Sequence, residues 1–182
     1  DSLGRQVMST LGRLAMGNCV FKIALNPFKN DNPDPRGAED IAFLIATNPG
    51  SFPSPLTKVA SGGELSRISL ALQVIAADTA TSPTIIFDEV DVGIGGNVAE
   101  VVGDLLHTLG KRIQILVVTH QPQVAVKGNQ HILVTKEEAD YVSSRLTYLN
   151  NEERITEIGR MLGGAKLTAS SLAHAREMLE NA

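Results

Sequence analysis

Two adjacent carboxylates, Asp88 and Glu89, directly follow the short apolar run Thr84–Phe87. Acids at the C-terminal end of a buried strand sit where α/β folds bind their ligands. Neighbouring residues on a strand point to opposite sides, so the two can do different work. One can hold a hard cation such as Mg²⁺, which takes oxygen ligands and keeps several waters. The other can orient or deprotonate an attacking water. Solvated acids opening a loop are the plain alternative. That alternative weakens because Asp91 adds a third acid and Gly93, Gly95 and Gly96 follow at once. These glycines do not form the G-x-G-x-x-G dinucleotide fingerprint, because position 98 is Val.

Ser61-Gly62-Gly63-Glu64 precedes a helical pattern. A serine with a glutamate three residues on is a capping box and needs no ligand. Capping does not explain two glycines in the first helical turn, each of which costs about 1 kcal/mol against alanine. Glycine there lets an anion approach bare N–H groups at a positive helix end. His120 ends a second apolar run, Ile113–Thr119, and parallel pairing of the two runs brings it near Asp88 and Glu89. His107, His131 and His174 lack such a setting and read as surface or structural residues. No His or Cys pair has zinc-ligand spacing.

These groups need a frame. Leu3, Val7, Leu11, Leu14 and Ala15 fall on one face of a helix over residues 3–16 that ends near Gly17. Val20–Leu25 and Ile41–Thr47 read as antiparallel strands around an exposed loop at 26–40. Ser61 opens a helix with Leu65, Ile68, Leu72 and Ile75 on its apolar face. Thr84–Phe87, a helix from about Asn97 to Gly110, and Ile113–Thr119 make a parallel βαβ unit, its strands covered on both faces. A short helix after Pro122, strands near Ile132–Thr135 and Val142–Leu149, and helices near Glu152–Leu162 and Ser170–Leu179 complete the chain. The expected fold class is α/β, a mixed sheet with parallel core strands flanked by helices.

The chain has 182 residues, 43% of them apolar, enough for a sizeable core. It starts at Asp1 rather than Met, so further sequence is expected to precede it. No apolar run approaches the roughly 18–20 residues of a membrane helix, and no secretory signal is visible. Cys19 is the only cysteine, which excludes an intrachain disulfide; a small buried residue is the expectation. A net charge of −4 disfavours a whole-surface grip on DNA, although a local basic patch is compatible with it. With no Trp and 4% aromatics, base-stacking platforms are poorly supplied.

In order along the chain come an anion-binding helix start, an apolar strand with Asp-Glu, a glycine-rich turn, a helix, and an apolar strand with His. This resembles the ABC-type ATPases. Residues 58–67, KVASGGELSR, resemble their signature motif; residues 85–89, IIFDE, resemble Walker B; residues 90–93 resemble the D-loop; and Thr119-His120 resembles the switch histidine. Residues 88–96 (DEVDVGIGG), 118–125 (VTHQPQVA), 160–164 (RMLGG) and 171–176 (SLAHAR) narrow the resemblance to the RecN family of SMC-like DNA repair ATPases. The match covers most of residues 56–180. The phosphate loop G-x-x-x-x-G-K-[ST] occurs nowhere in the chain. In SMC-like proteins that loop lies before a long coiled coil and the signature after it.

The resemblance therefore implies residues 1–17 as the end of a coiled-coil arm and 18–182 as the C-terminal lobe of an ABC-type head. It implies an ATPase in DNA double-strand-break repair, active only when joined to the N-terminal half. The implied ligands are ATP and Mg²⁺, with Asp88 at the metal, Glu89 as general base and His120 at the γ-phosphate. Ser61, Gly62 and Gly63 would touch ATP held by a second head in a homodimer, and Asp91 would help join the heads. Lys58 and Arg67 flank the signature and could reach phosphate, or could simply be solvated charges. DNA is an implied partner, a membrane is not, and the implied place is the cytoplasm, at the nucleoid. The competing readings are a transporter nucleotide-binding domain, disfavoured by Ala60 where those signatures usually have Leu, another SMC-like ATPase head, and a non-hydrolysing DNA-bridging module.

Overall fold

A computed structural model describes residues 2–28, 35, 37–58, 61–79, 82–88, 90–138, 142–164 and 166–182. The chain divides into two compact units, Asp1–Ile85 with Val92–Ile94, and Ile86–Asp91 with Gly95–Ala182.

In the first unit the helical spacing of Val7 and Leu11 produces α1 (Ser2–Arg13), which buries both residues and packs on α2 and β1. The helix stops before Gly17. Met16 N–H reaches back to the carbonyl of Leu11 at 2.9 Å, and Ala15 adopts φ 59. The left-handed cap expected of glycine is thus made by alanine, because burying Leu14 and Met16 fixes where the chain must turn.

β1 (Val20–Pro27) and β2 (Glu39–Ala46) pair antiparallel from Val20↔Ala46 to Pro27↔Glu39. They run further into the 26–40 stretch than its composition suggests, since ladder pairing outweighs local turn preference. Phe21 and Ile45 are buried, and the Phe21 and Phe43 rings lie 5.6 Å apart. β3 (Ser54–Pro55) pairs with β2 and leads into a 3-10 turn, Leu56–Lys58. The next helix, α2 (Gly62–Thr79), buries Ile68, Leu70, Ala71 and Ala77. Its expected apolar face is rotated, leaving Leu65 exposed.

The second unit takes in the end of β4 (Thr84–Phe87), then α3 (Gly96–Gly110), β5 (Gln114–Val117) and α4 (Pro122–Ala125). β4 and β5 form a two-stranded sheet. Val118 N–H donates to Phe87 O at 2.9 Å, which joins the C-terminal ends of the strands, so they run in the same direction with α3 as the crossover. α3 buries Ala99, Val102, Gly103, Leu105, Leu106 and Leu109, the period of an amphipathic helix.

The sheet differs from expectation in one respect. Phe87 is buried, but Ile86 is 65%, Leu116 44% and Val118 56% exposed. These residues alternate with covered ones, so one face of the strand pair is bare. The apolar pattern reports a cover on both faces; the described residues supply only one.

β6 (Ile132–Glu138) and β7 (Val142–Tyr148) pair antiparallel. α5 (Asn151–Gly163) and α6 (Ala169–Glu180) each begin with a capping box, Asn150 with Glu153 and Thr168 with Ser171. Ile158, Ala175 and Val126 are the buried centre of their packing. No helix among the described residues is long and apolar enough to cross a membrane.

Candidate functional site

In the first unit the Ser61 carbonyl accepts the first helical bond of α2 from Leu65 N–H at 3.0 Å. Its hydroxyl accepts from Glu64 N–H at 3.4 Å, a long cap that leaves the helix start only weakly satisfied. Ser61 and Gly62 are exposed. A Cβ on Gly62 would meet nothing within 4 Å. Gly63 differs: a Cβ there would lie 3.2 Å from the Gly93 carbonyl oxygen. Packing inside the unit therefore accounts for one glycine of the pair and leaves the other without a steric reason. Lys58 is exposed, and Arg67 is half-buried with its Nε lacking a partner. Val59 and Ala60 lie outside the described residues.

In the second unit Asp88 leaves the end of β4 exposed. His120 leaves the matching end of β5, so both belong to one edge of the strand pair. Glu89 lies outside the described residues. Among those that are described, no group of three or more His, Cys, Asp or Glu could hold a metal by itself. A single exposed carboxylate still suits Mg²⁺, which keeps waters and takes its other oxygens from phosphates. Asp88 fits that donor set; a caged zinc or calcium site would not.

Asp91 is 1% exposed. Its Oδ2 accepts from the Thr119 hydroxyl and from the N–H groups of His120 at 2.9 Å and Gln121 at 3.1 Å. Its Oδ1 lies 3.3 Å from His120 Nδ1. The resemblance implies Asp91 as a residue between heads; here both of its oxygens are engaged within its own unit. His120 stands 69% exposed on this support, with Nε2 3.1 Å from the Gln121 side-chain nitrogen. Sequence reasoning missed the part of Gln121. The signal was there in polar residues on both sides of a histidine at the end of an apolar strand.

A second polar cluster was also missed. His131 and Arg154 are half-buried, and His131 Nδ1 and Arg154 Nε have no partner. Burial, then the Arg154 charge, push the His131 pKa down, and Glu157 opposes them. Burial also lowers Arg154, which donates to Gly128 O at 2.6 Å. Arg160 forks onto Glu157 at 2.8 and 2.6 Å, and this hydrogen-bonded pairing raises the Arg160 pKa. His107 is structural, its Nδ1 2.8 Å from Lys127 O. Cys19 is buried, and its thiol pKa is pushed up by that burial.

No protein-family model matches the sequence. The chain is 47% identical over 180 residues to the DNA repair protein RecN of Xylella fastidiosa strain 9a5c, covering 98% of this chain and 32% of that protein. It is 46% identical to RecN of Haemophilus influenzae over 179 residues, and 42% identical to RecN of Rickettsia conorii over 170. It spans about a third of the length of these relatives and corresponds to their C-terminal part. Among solved structures, the Smc head domain of Pyrococcus yayanosii with its coiled coil and joint matches at TM-score 0.67 and 18% identity, over 86% of this chain and 28% of that one. A chain from work on ATP-driven dimerization and DNA-stimulated activation of SMC ATPases matches at TM-score 0.65 and 18% identity, over 90% of this chain and 93% of that one. At such identity these matches show the fold, which is that of an SMC head.

Proposed function

We propose, from a chain related over nearly its whole length to the C-terminal part of RecN proteins, that it is the C-terminal lobe of an ABC-type ATPase head acting in DNA double-strand-break repair. The observation that carries this is the shared strand edge, where Asp88 follows β4 and His120 follows β5.

Asp88 would hold Mg²⁺, which when bound neutralises charge on the β- and γ-phosphates. Glu89 accepts the proton of the attacking water, and His120 contacts the γ-phosphate. Ser61, the open backbone at Gly62 and the adjoining Gly63 meet the γ-phosphate of ATP held by a second head. The N-terminal half of the head brings the phosphate loop and covers the bare face at Ile86, Leu116 and Val118. α1 is the returning end of the coiled-coil arm. The assembled protein acts on DNA in the cytoplasm, at the nucleoid.

The test is steady-state phosphate release by the full-length protein, its Glu89→Gln variant and the 182-residue chain alone. Turnover is expected from the full protein only. Glu89→Gln should keep nucleotide binding and lose turnover by roughly 100-fold or more, since the amide cannot take the proton. Unchanged turnover in that variant, or hydrolysis by the isolated chain, would overturn the reading.

A further inference from the structure

His120 is largely exposed, yet both of its ring nitrogens have partners. Nδ1 faces the Asp91 carboxylate at 3.3 Å, and Nε2 faces the Gln121 side-chain nitrogen at 3.1 Å. A carboxylate only accepts hydrogen bonds, and an amide nitrogen only donates them. One neutral tautomer satisfies both contacts, with the proton on Nδ1 and the lone pair on Nε2. The other oxygen of Asp91 takes the Thr119 hydroxyl and the N–H groups of His120 and Gln121. The same buried carboxylate therefore holds the ring and the backbone that carries it.

We propose that Asp91 is a positioning residue for His120: it fixes the imidazole as the Nδ1–H tautomer with Nε2 outward, and the Gln121 amide covers Nε2 until a ligand displaces it. This rests on the reading of His120 as the group that meets the nucleotide, and it adds how that group is aimed. Asp91→Asn is the informative change. The amide oxygen can still accept the backbone donors, while its nitrogen must then face Nδ1. The ring answers by moving its proton to Nε2, because two donors cannot face each other.

The experiment uses the full-length protein. Asp91→Asn should lower kcat by about 10- to 100-fold, as removing a group that orients a ligand typically does, with KM for ATP unchanged. In a His120→Gln background the same change should cost nothing more, because it acts through the ring. Histidine-selective ¹⁵N NMR should find His120 protonated on Nδ1 in the wild type and on Nε2 in the variant. Losses that multiply in the double variant, or a wild-type ring protonated on Nε2, overturn the proposal. If the wild type hydrolyses no ATP, the ATPase reading fails instead, and the tautomer measurement still decides this one. Should Asp91→Asn not fold, Thr119→Val removes one donor to the carboxylate; a smaller kcat loss, absent in the His120→Gln background, is expected, and no loss counts against the proposal.

Discussion

A methyl group on Gly63 would sit 3.2 Å from the carbonyl oxygen of Gly93, and one on Gly93 would sit 3.3 Å from the Cα of Gly63. The two glycines explain each other, and φ 71 at Gly93 adds a second reason for glycine there. Gly62, one residue away, has open space around it. No described residue gives its missing side chain a steric reason, which is what a ligand approaching the helix start requires.

Gly62→Ala should therefore leave thermal stability unchanged or raise it by up to about 1 kcal/mol, since alanine is the better helix former. The full-length protein carrying it should lose phosphate release by about 10-fold or more, as loss of transition-state contacts does. Gly63→Ala should lower the melting temperature. Full hydrolysis by Gly62→Ala would remove the signature role from this helix start.

Ala15 holds a left-handed conformation at the end of α1. Such a φ costs a residue with a Cβ roughly 1 kcal/mol relative to glycine. Ala15→Gly should raise the unfolding free energy by about 0.5–1 kcal/mol, read from urea melts with unchanged slope. A destabilised variant would mean that the methyl group contributes more by packing than the backbone loses by strain.

Much of this was legible in advance where punctuation and period agreed. Pro83 and Asp88 bracket β4, and Gly96 to Gly110 frames α3, so both elements emerge close to where the pattern puts them. The end of α1 was not legible, because Ala15 has no local preference for the conformation that packing forces on it. Nor was the bare face of the strand pair, since an apolar residue reports that it needs a cover and not which segment provides it. Asp91 is the clearest case. As a letter it is one more acid in an acidic turn; its meaning depends on donors 28 to 30 positions further along.

Gly103 lies where α3 and α4 approach closely. A Cβ there would be 2.8 Å from the Gln123 carbonyl oxygen and 2.9 Å from Lys127 Cγ. The lysine stem can move; the carbonyl is held in α4. Gly103→Ala gains about 1 kcal/mol of helix propensity and meets an overlap that costs more, so a net loss of about 1–2 kcal/mol is expected. The change should also loosen the 2.9 Å Lys127–Asp104 ion pair beside it. A variant as stable as the wild type would show that the helices can separate freely.

His131 gives the second unit a pH dependence of defined sign. Its folded pKa lies below the ordinary histidine value, through burial first and the Arg154 charge second. A base depressed in this way contributes stability that is complete above its unfolded pKa, near 6.5, and is lost as pH falls through the folded value. Stability should thus decline on acidification below about pH 6.5. His131→Gln, which cannot gain a proton, should flatten that decline, as urea melts between neutral and mildly acid pH would show. An identical slope in the variant would assign the acid sensitivity elsewhere.

Ile86 stands 65% exposed on the bare face of the strand pair beside Leu116 and Val118. In the isolated chain an exposed apolar side chain contributes little to folding, and its removal relieves a surface prone to association. Ile86→Lys should leave the melting temperature of the 182-residue chain nearly unchanged and reduce its self-association at high concentration. In the full-length protein the same lysine would be buried without a partner if the N-terminal half covers this face. There it should lower stability by several kcal/mol and abolish hydrolysis, the cost of placing a charge in an apolar interface. Thermal melts of both lengths and phosphate release by the longer one are the measurements. A variant that is equally silent in both lengths would move the cover of this face to another surface and leave Ile86 as an ordinary exposed residue.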